Sequence, residues 1–255
     1  MARSNLSNRE VRAGKREIRQ KRREMAVEDG RKFKDKFSDE RESKIVHIQP
    51  KTQAQKDFLE CMQNNQIAIA SGAGGAGKSF LAGTFIANEY LRNPGMSILL
   101  ARPYVPMGGR TVGFLSGDQN AKMESFVAAQ TSILRKHLGK KFDADFGLTI
   151  NFQLLEAIRG LDLKNTWLWV DECQLLTREE FKCILTRISA GGKVIFTGDP
   201  LQSDLKDEQS GLDWVCDMIE KYNIKGCDFV EFTDDDCVRS GVVREWLRVF
   251  EKEGV

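Results

Sequence analysis

Between Gly72 and Ser79 the chain reads Gly-Ala-Gly-Gly-Ala-Gly-Lys-Ser, which meets every fixed position of the phosphate-binding pattern G-x-x-x-x-G-K-[ST]. No other feature restricts the fold as strongly, because this pattern belongs to a strand that feeds a tight loop opening directly into a helix. Both flanks comply: the apolar run Ile67 to Ala70 predicts the strand, and the helix-period pattern from Lys78 to Tyr90 predicts the helix. Each residue type answers a physical demand. The run Gly72, Ala73, Gly74, Gly75, Ala76 and Gly77 is expected to wrap backbone N–H groups around phosphates, its glycines admitting positive φ, while the helix adds its positive N-terminal end. Lys78 would reach the β- and γ-phosphates, and Ser79 would ligate Mg²⁺, a hard cation that prefers oxygen. Phe80 completes the expected nucleotide-binding set.

The rest of the chain alternates short apolar runs with helical patterns from about Ile45 onward. That alternation predicts an α/β domain with a mostly parallel central sheet. Strands are expected at Ile67 to Ala70, Ser97 to Ala101, Thr166 to Val170, Lys193 to Thr197 and Asp228 to Phe232. Helical patterns lie after Lys78 and at Lys122 to Leu138, Gln153 to Ile158, Arg178 to Ile188, Leu212 to Lys221 and Val238 to Glu251. In such sheets ligands sit at the carboxyl ends of strands, so polar residues following each strand should converge on one crevice.

Two such clusters stand out. Trp167-Leu168-Trp169-Val170 delivers Asp171 and Glu172, the first suited to a Mg²⁺ shell and the second to orienting and deprotonating a water. A strand-end Asp-Glu alone is often only an exposed turn; its pairing with a complete phosphate loop gives it weight. Val194-Ile195-Phe196 leads to Thr197-Gly198-Asp199-Pro200-Leu201-Gln202, where the neutral amide of Gln202 can hydrogen-bond both a γ-phosphate and the attacking water.

Composition bounds the remainder. With 255 residues, 41% apolar and 30% charged, the chain suits one globular domain at 45–255 plus an appendage at 1–44. Met1 to Lys44 carries 15 Lys/Arg against 9 Asp/Glu, a net of +6, leaving 24 against 28, or −4, for the rest. This basic arm lacks an apolar stripe and is expected to be helical or disordered, solvated in either case. It serves equally as a salt-sensitive contact for RNA or single-stranded DNA or as a polyampholyte without a ligand. No apolar run approaches the roughly 18 residues of a membrane span, and the arm is too acidic for a transit peptide, so a cytoplasmic protein with no membrane partner is expected. The six cysteines form no C-x-x-C pair and His47 and His137 stand apart, which points to reduced thiols and no metal beyond nucleotide-bound Mg²⁺.

Taken in order, Gly72 to Ser79, Asp171-Glu172-Cys173-Gln174, Leu185-Thr186-Arg187, Thr197-Gly198-Asp199-x-x-Gln202, Ser210-Gly211-Leu212 and Val238-Arg239 resemble the PhoH-like ATPases. Arg102-Pro103 and Gly113-Phe114-Leu115-x-Gly117-Asp118 extend the resemblance, which covers roughly Lys51 to Phe250. It implies a RecA-like P-loop NTPase domain, similar to the first motor lobe of superfamily 1 helicases. It also implies ATP and Mg²⁺ as cofactors. Thr52-x-x-Gln55 lies where those helicases place an adenine-reading glutamine, which makes Gln55 the adenine candidate beside the plainer reading of a capped helix start. Cys173 stands where the family usually has alanine, and Asp234-Asp235-Asp236 makes an acidic setting for Arg239.

The expected activity is ATP hydrolysis by Lys78, Glu172, Gln202 and an arginine, either Arg187 or Arg239, with Arg102 a weaker third. About 210 residues make one motor lobe, whereas those helicases close ATP between two, so an oligomer, a homohexamer by family likeness, is expected to supply the arginine from a neighbour. Coupling to RNA or single-stranded DNA is the leading reading. A small-molecule kinase and a nucleotide-switched binding protein with little turnover stay open; a guanine switch is disfavoured, since no N-K-x-D element occurs.

Overall fold

The computed structural model describes residues 42–103, 127–203, 205, 210–238, 241–242, 245–246 and 249, all within the unit Arg41–Val255. Residues 1–41 of the basic arm, the Gly113 to Asp118 motif and Arg239 lie outside the described residues.

Thr52 caps the first helix, α1 (Gln53–Asn64), its side chain accepting from Gln55 N. Strand β1 (Ile67–Gly72) follows, then α2 (Lys78–Arg92) and β2 (Ser97–Ala101). Next come α3 (Ala128–Leu138), α4 (Lys140–Asp145), β3 (Ile150–Phe152) and the single turn α5 (Leu155–Ile158). Strand β4 (Thr166–Asp171) leads to α6 (Arg178–Leu185), β5 (Lys193–Thr197), α7 (Leu212–Tyr222) and β6 (Cys227–Phe232). A capping box fixes the start of α6: Glu180 N donates to Thr177 Oγ1 at 3.3 Å, and Thr177 N donates to Glu180 Oε2 at 2.8 Å. Residues 241–242, 245–246 and 249 are helical, as the periodicity after Val238 predicts.

All six strands pair in parallel in the order β3-β2-β4-β5-β1-β6. Such a sheet needs both faces covered, and the strands alternate to suit. Ala68, Ala70, Ile98, Leu100, Trp169 and Ile195 face the layer of α1 to α4, while Ile69, Leu99, Leu168, Val170, Val194 and Phe196 face α5 to α7. Two features of the order place the site. One strand, β5, stands between the strand feeding the phosphate loop and the one ending in Asp171, an arrangement of the RecA-like P-loop class. Neighbours β1 and β5 also send their following helices, α2 and α7, to opposite faces, which opens a crevice at their carboxyl ends.

β3 has no counterpart among the sequence expectations. It is three residues long and only Ile150 is fully buried, too little pattern for periodicity to register. Helix α6 stops at Leu185 rather than Ile188, because Arg187 N turns back to Ile184 O at 2.9 Å.

Candidate nucleotide-binding and active site

The loop 73–77 leaves β1 beside the end of β6. Gly72 sits at φ +117°, and a Cβ there would stand 2.0 Å from Phe232 O, so only glycine fits where the two strands end together. Gly75 and Gly77 also have positive φ, at 82° and 85°. The segment after β6 closes over the loop: Ala73 N donates to Phe232 O at 2.8 Å and Val238 N to Gly75 O at 3.2 Å.

Lys78, only 8% exposed, curls its ammonium onto Gly72 O at 2.5 Å and Ala73 O at 2.7 Å. Burial lowers its pKa, opposed by the negative groups of Asp199, Asp171 and Glu172 around it. A phosphate entering the loop would replace those carbonyls as the ammonium's partners. Ser79 Oγ donates to Asp171 Oδ1 at 2.9 Å, and Thr197 Oγ1 donates to the same oxygen at 2.5 Å. Trp169 Nε1 occupies Thr197 Oγ1 from behind at 3.1 Å, which leaves the hydroxyl proton for Asp171. Burial raises the Asp171 pKa, and the Thr197 and Ser79 bonds only partly offset it. A buried carboxylate beside a serine hydroxyl is an all-oxygen pair that fits Mg²⁺.

Glu172 follows in the left-handed region, φ 55°. That conformation turns its carboxylate away from the strand, where Arg102 Nη2 donates to Oε1 at 3.3 Å and Gln174 Nε2 donates to Oε2 at 2.9 Å. Arg102 is the residue that β2 delivers to the same edge of the sheet. From β5, Asp199 caps the short turn Pro200–Gln202 through Leu201 N and receives Gln202 Nε2 at 2.6 Å. This pair abuts the phosphate loop: a Cβ on Gly74 would lie 3.1 Å from Gln202 Nε2 and 3.4 Å from Asp199 Oδ2. Gln202 is exposed.

Three expected residues take less direct positions. Gln55 is buried against the loop, donating to Ala76 O at 2.9 Å and accepting from Lys51 N at 2.7 Å. Half of its amide's capacity is spent on the protein, leaving one donor and one lone pair for a base. Phe80 is 45% exposed, its ring beside His137 at 5.9 Å and under Lys136 Nζ at 5.8 Å. Arg187 lies at the opposite edge of the sheet, where its carbonyl accepts from Leu163 N ahead of β4. β5 spans five residues, so on the order of 16 Å separates Arg187 from the loop of its own chain. Its guanidinium reaches Arg159 O at 3.2 Å and Thr186 Oγ1 at 3.3 Å.

Sequence reasoning gave no role to Gln174, 2% exposed, which touches both strand-end clusters. Among the described residues no group of three or more His, Cys, Asp or Glu could hold a metal ion, and no helix is long and apolar enough to cross a membrane. His137 is buried with Nε2 3.0 Å from Thr84 Oγ1, and burial pushes the Cys61 and Cys216 thiols up to about 12. The groove lined by Asp57, Glu60, Asp228 and Glu231 contains no phosphate-loop residue.

Comparison with known proteins gives a family and similar chains. The sequence model of the family described as "PhoH-like protein" matches residues 47–251. A PhoH-like protein from Synechocystis is 31% identical over 208 residues, 80% of this chain and 62% of the relative. One from Bacillus subtilis is 30% identical, covering 81% and 65%, and Protein PhoH of Escherichia coli K12 is 28% identical, covering 80% and 58%. The chain thus spans about three fifths of the length of these curated relatives. Among solved structures, the UvsW helicase from bacteriophage T4 superposes with a TM-score of 0.45 at 14% identity, over 80% of this chain and 67% of that one. The large terminase of a thermophilic bacteriophage, in complex with ADP, gives 0.49 at 17%, over 77% and 49%.

Proposed function

The chain belongs to the PhoH-like protein family, and from that premise we propose that it is a Mg²⁺-dependent ATPase that couples hydrolysis to RNA or single-stranded DNA as an oligomer. The single observation that carries this reading is the convergence on one phosphate loop of Lys78, the Ser79–Asp171 pair, Glu172 and the Asp199–Gln202 pair, from three strands that are separate in sequence.

Each residue then has a task. The loop N–H groups and Lys78 receive the β- and γ-phosphates, and Ser79 and Asp171 would hold Mg²⁺, which would supply positive charge to the phosphates. Glu172 orients a water and takes its proton as the water oxygen bonds to the γ-phosphorus; the bond to the bridging oxygen breaks and ADP leaves. Gln202 contacts the γ-phosphate and the water. Arg187, on the far edge of its own subunit, meets this site only if a neighbouring copy presents it, which a ring, a homohexamer by family likeness, would do. Arg239 is the alternative, one residue beyond Val238, whose N–H is tied to Gly75 O. The net +6 of Met1 to Lys44 suits nucleic-acid phosphates.

One observation favours a nucleotide switch with little turnover: both Glu172 oxygens are engaged by Arg102 and Gln174, so no oxygen is without a protein partner. Steady-state phosphate release from ATP, with and without single-stranded RNA or DNA, separates the readings. Turnover lost in Lys78→Ala, stimulated by the polymer and desensitised to it on deletion of 1–44, is the expected result. Nucleotide binding with no phosphate release under any of these conditions would favour the switch.

A further inference from the structure

We infer that Gln174 is a positioning residue that holds Glu172 and the Asp199–Gln202 turn in one register, so that contact of the turn with a terminal phosphate is transmitted to the carboxylate that handles the water. The inference rests on the ATPase reading above and adds to it the route by which the two strand-end clusters act together.

The side chain of Gln174 is buried between two partners that each permit only one chemistry. Glu172 Oε2 can only accept, and Gln174 Nε2 donates to it at 2.9 Å; Asp199 N–H can only donate, and Gln174 Oε1 accepts from it at 3.1 Å. This fixes the orientation of the amide and selects glutamine over its isosteres. Glutamate would set a second carboxylate against Glu172, and methionine would leave the Asp199 N–H buried without a partner. The backbone of Gln174 takes the other end of the same turn, its carbonyl accepting from Ser203 Oγ at 3.0 Å. Gln174 therefore grips the turn at Asp199 and at Ser203, on either side of Gln202.

Packing leaves the linkage little slack. A Cβ on Gly198 would stand 2.7 Å from Cys173 Sγ, 2.9 Å from Gln174 Oε1 and 3.0 Å from Gln174 N, so the absent side chain is what lets the end of β5 close onto Gln174. At the far end Gln202 adjoins Gly74 of the phosphate loop. Through these contacts a displacement of the turn toward bound phosphate is passed to the amide holding Glu172.

The test uses the full chain with Gln174→Glu, Gln174→Met, Gln202→Ala and the Gln174→Met/Gln202→Ala double variant. Gln174→Glu keeps an oxygen for the Asp199 N–H but turns the bond to Glu172 into a repulsion, so kcat should fall at least tenfold with KM for ATP within about twofold of wild type. A merely structural role would instead lower the melting temperature and leave kcat per folded protein unchanged. Gln174→Met should lower kcat at least tenfold, and the double variant should be no slower than the worse single variant, as for two members of one linkage. A kcat for Gln174→Glu within twofold of wild type, or kcat losses that multiply in the double variant, would overturn the inference while leaving the ATPase reading intact. Absence of Lys78-dependent turnover in the wild type would instead sink the ATPase reading. A binding measurement then decides this one, because Gln174→Met should abolish any preference of the wild type for ATPγS over ADP. Retention of that preference, or its absence in the wild type, would refute the linkage.

Discussion

Asp171→Asn should stabilise the protein without nucleotide and abolish the stabilisation that Mg·ATP confers, two effects of opposite sign from one atom. Asp171 is 7% exposed, and burial raises its pKa despite the hydrogen bonds from Thr197 and Ser79. An acid with a raised folded-state pKa binds its proton more tightly folded than unfolded. Its contribution is therefore full below the ordinary value of 3.8 and is lost as pH rises through the folded-state value. Asparagine keeps an oxygen that can accept both hydroxyl protons and removes the charge. Relief of this kind gives about 0.5–2 kcal/mol, and at about 2–4 °C per kcal/mol for a domain of this size the variant should melt roughly 1–8 °C higher at pH 7. Binding at 100 times Kd adds about 2.7 kcal/mol, so Mg·ATP should raise the wild-type melting temperature by roughly 5–11 °C and leave the variant nearly unmoved. Differential scanning fluorimetry from pH 4 to 8 reads both numbers, and the gap without nucleotide should close toward the acid end. A variant that melts below the wild type without nucleotide yet keeps the full Mg·ATP shift would refute the reasoning.

Other consequences follow from the same geometry. Burial lowers the Lys78 pKa, so without nucleotide the fold should gain stability as pH rises toward the ordinary lysine value of 10.5; phosphate binding should restore the proton, seen as buffer-dependent heats in calorimetry at alkaline pH. Gly72→Ala, forcing a Cβ to 2.0 Å from Phe232 O at φ +117°, should cost roughly 2–5 kcal/mol in urea unfolding. Gly198→Ala should cost about 1–3 kcal/mol by overpacking and slow turnover beyond that loss by moving Gln174. Arg187→Ala should leave ATP affinity unchanged and lower turnover at least 10³-fold in assembled protein; equal turnover would remove Arg187 from the site.

How much of this was legible beforehand depended on how local each signal is. The five expected strands start and stop within two residues of the observed ones, because apolar runs bounded by breakers carry that information alone. β3 escaped because three residues with one fully buried side chain make no period. The order of the sheet was not legible, since nothing in β5 states that it lies between β1 and β4. The phosphate loop, Asp171, Glu172 and Gln202 could be read from their places after strands. Gln174 was legible as part of the Asp171-Glu172-Cys173-Gln174 motif but its role was not, for that lies in its contact with Asp199, 25 positions away. The motif makes Gln55 an adenine candidate; its bond to Ala76 O adds a structural duty that spacing could not reveal.

The most direct measurement of the central proposal is single-turnover release of phosphate from ATP by Glu172→Gln beside wild type. The expected result is unchanged ATP affinity with cleavage slowed by about 10²–10⁴, the span of a lost general base. Cleavage at the wild-type rate would contradict the assignment of Glu172 and, with it, the reading of this crevice as an ATP-hydrolysing site.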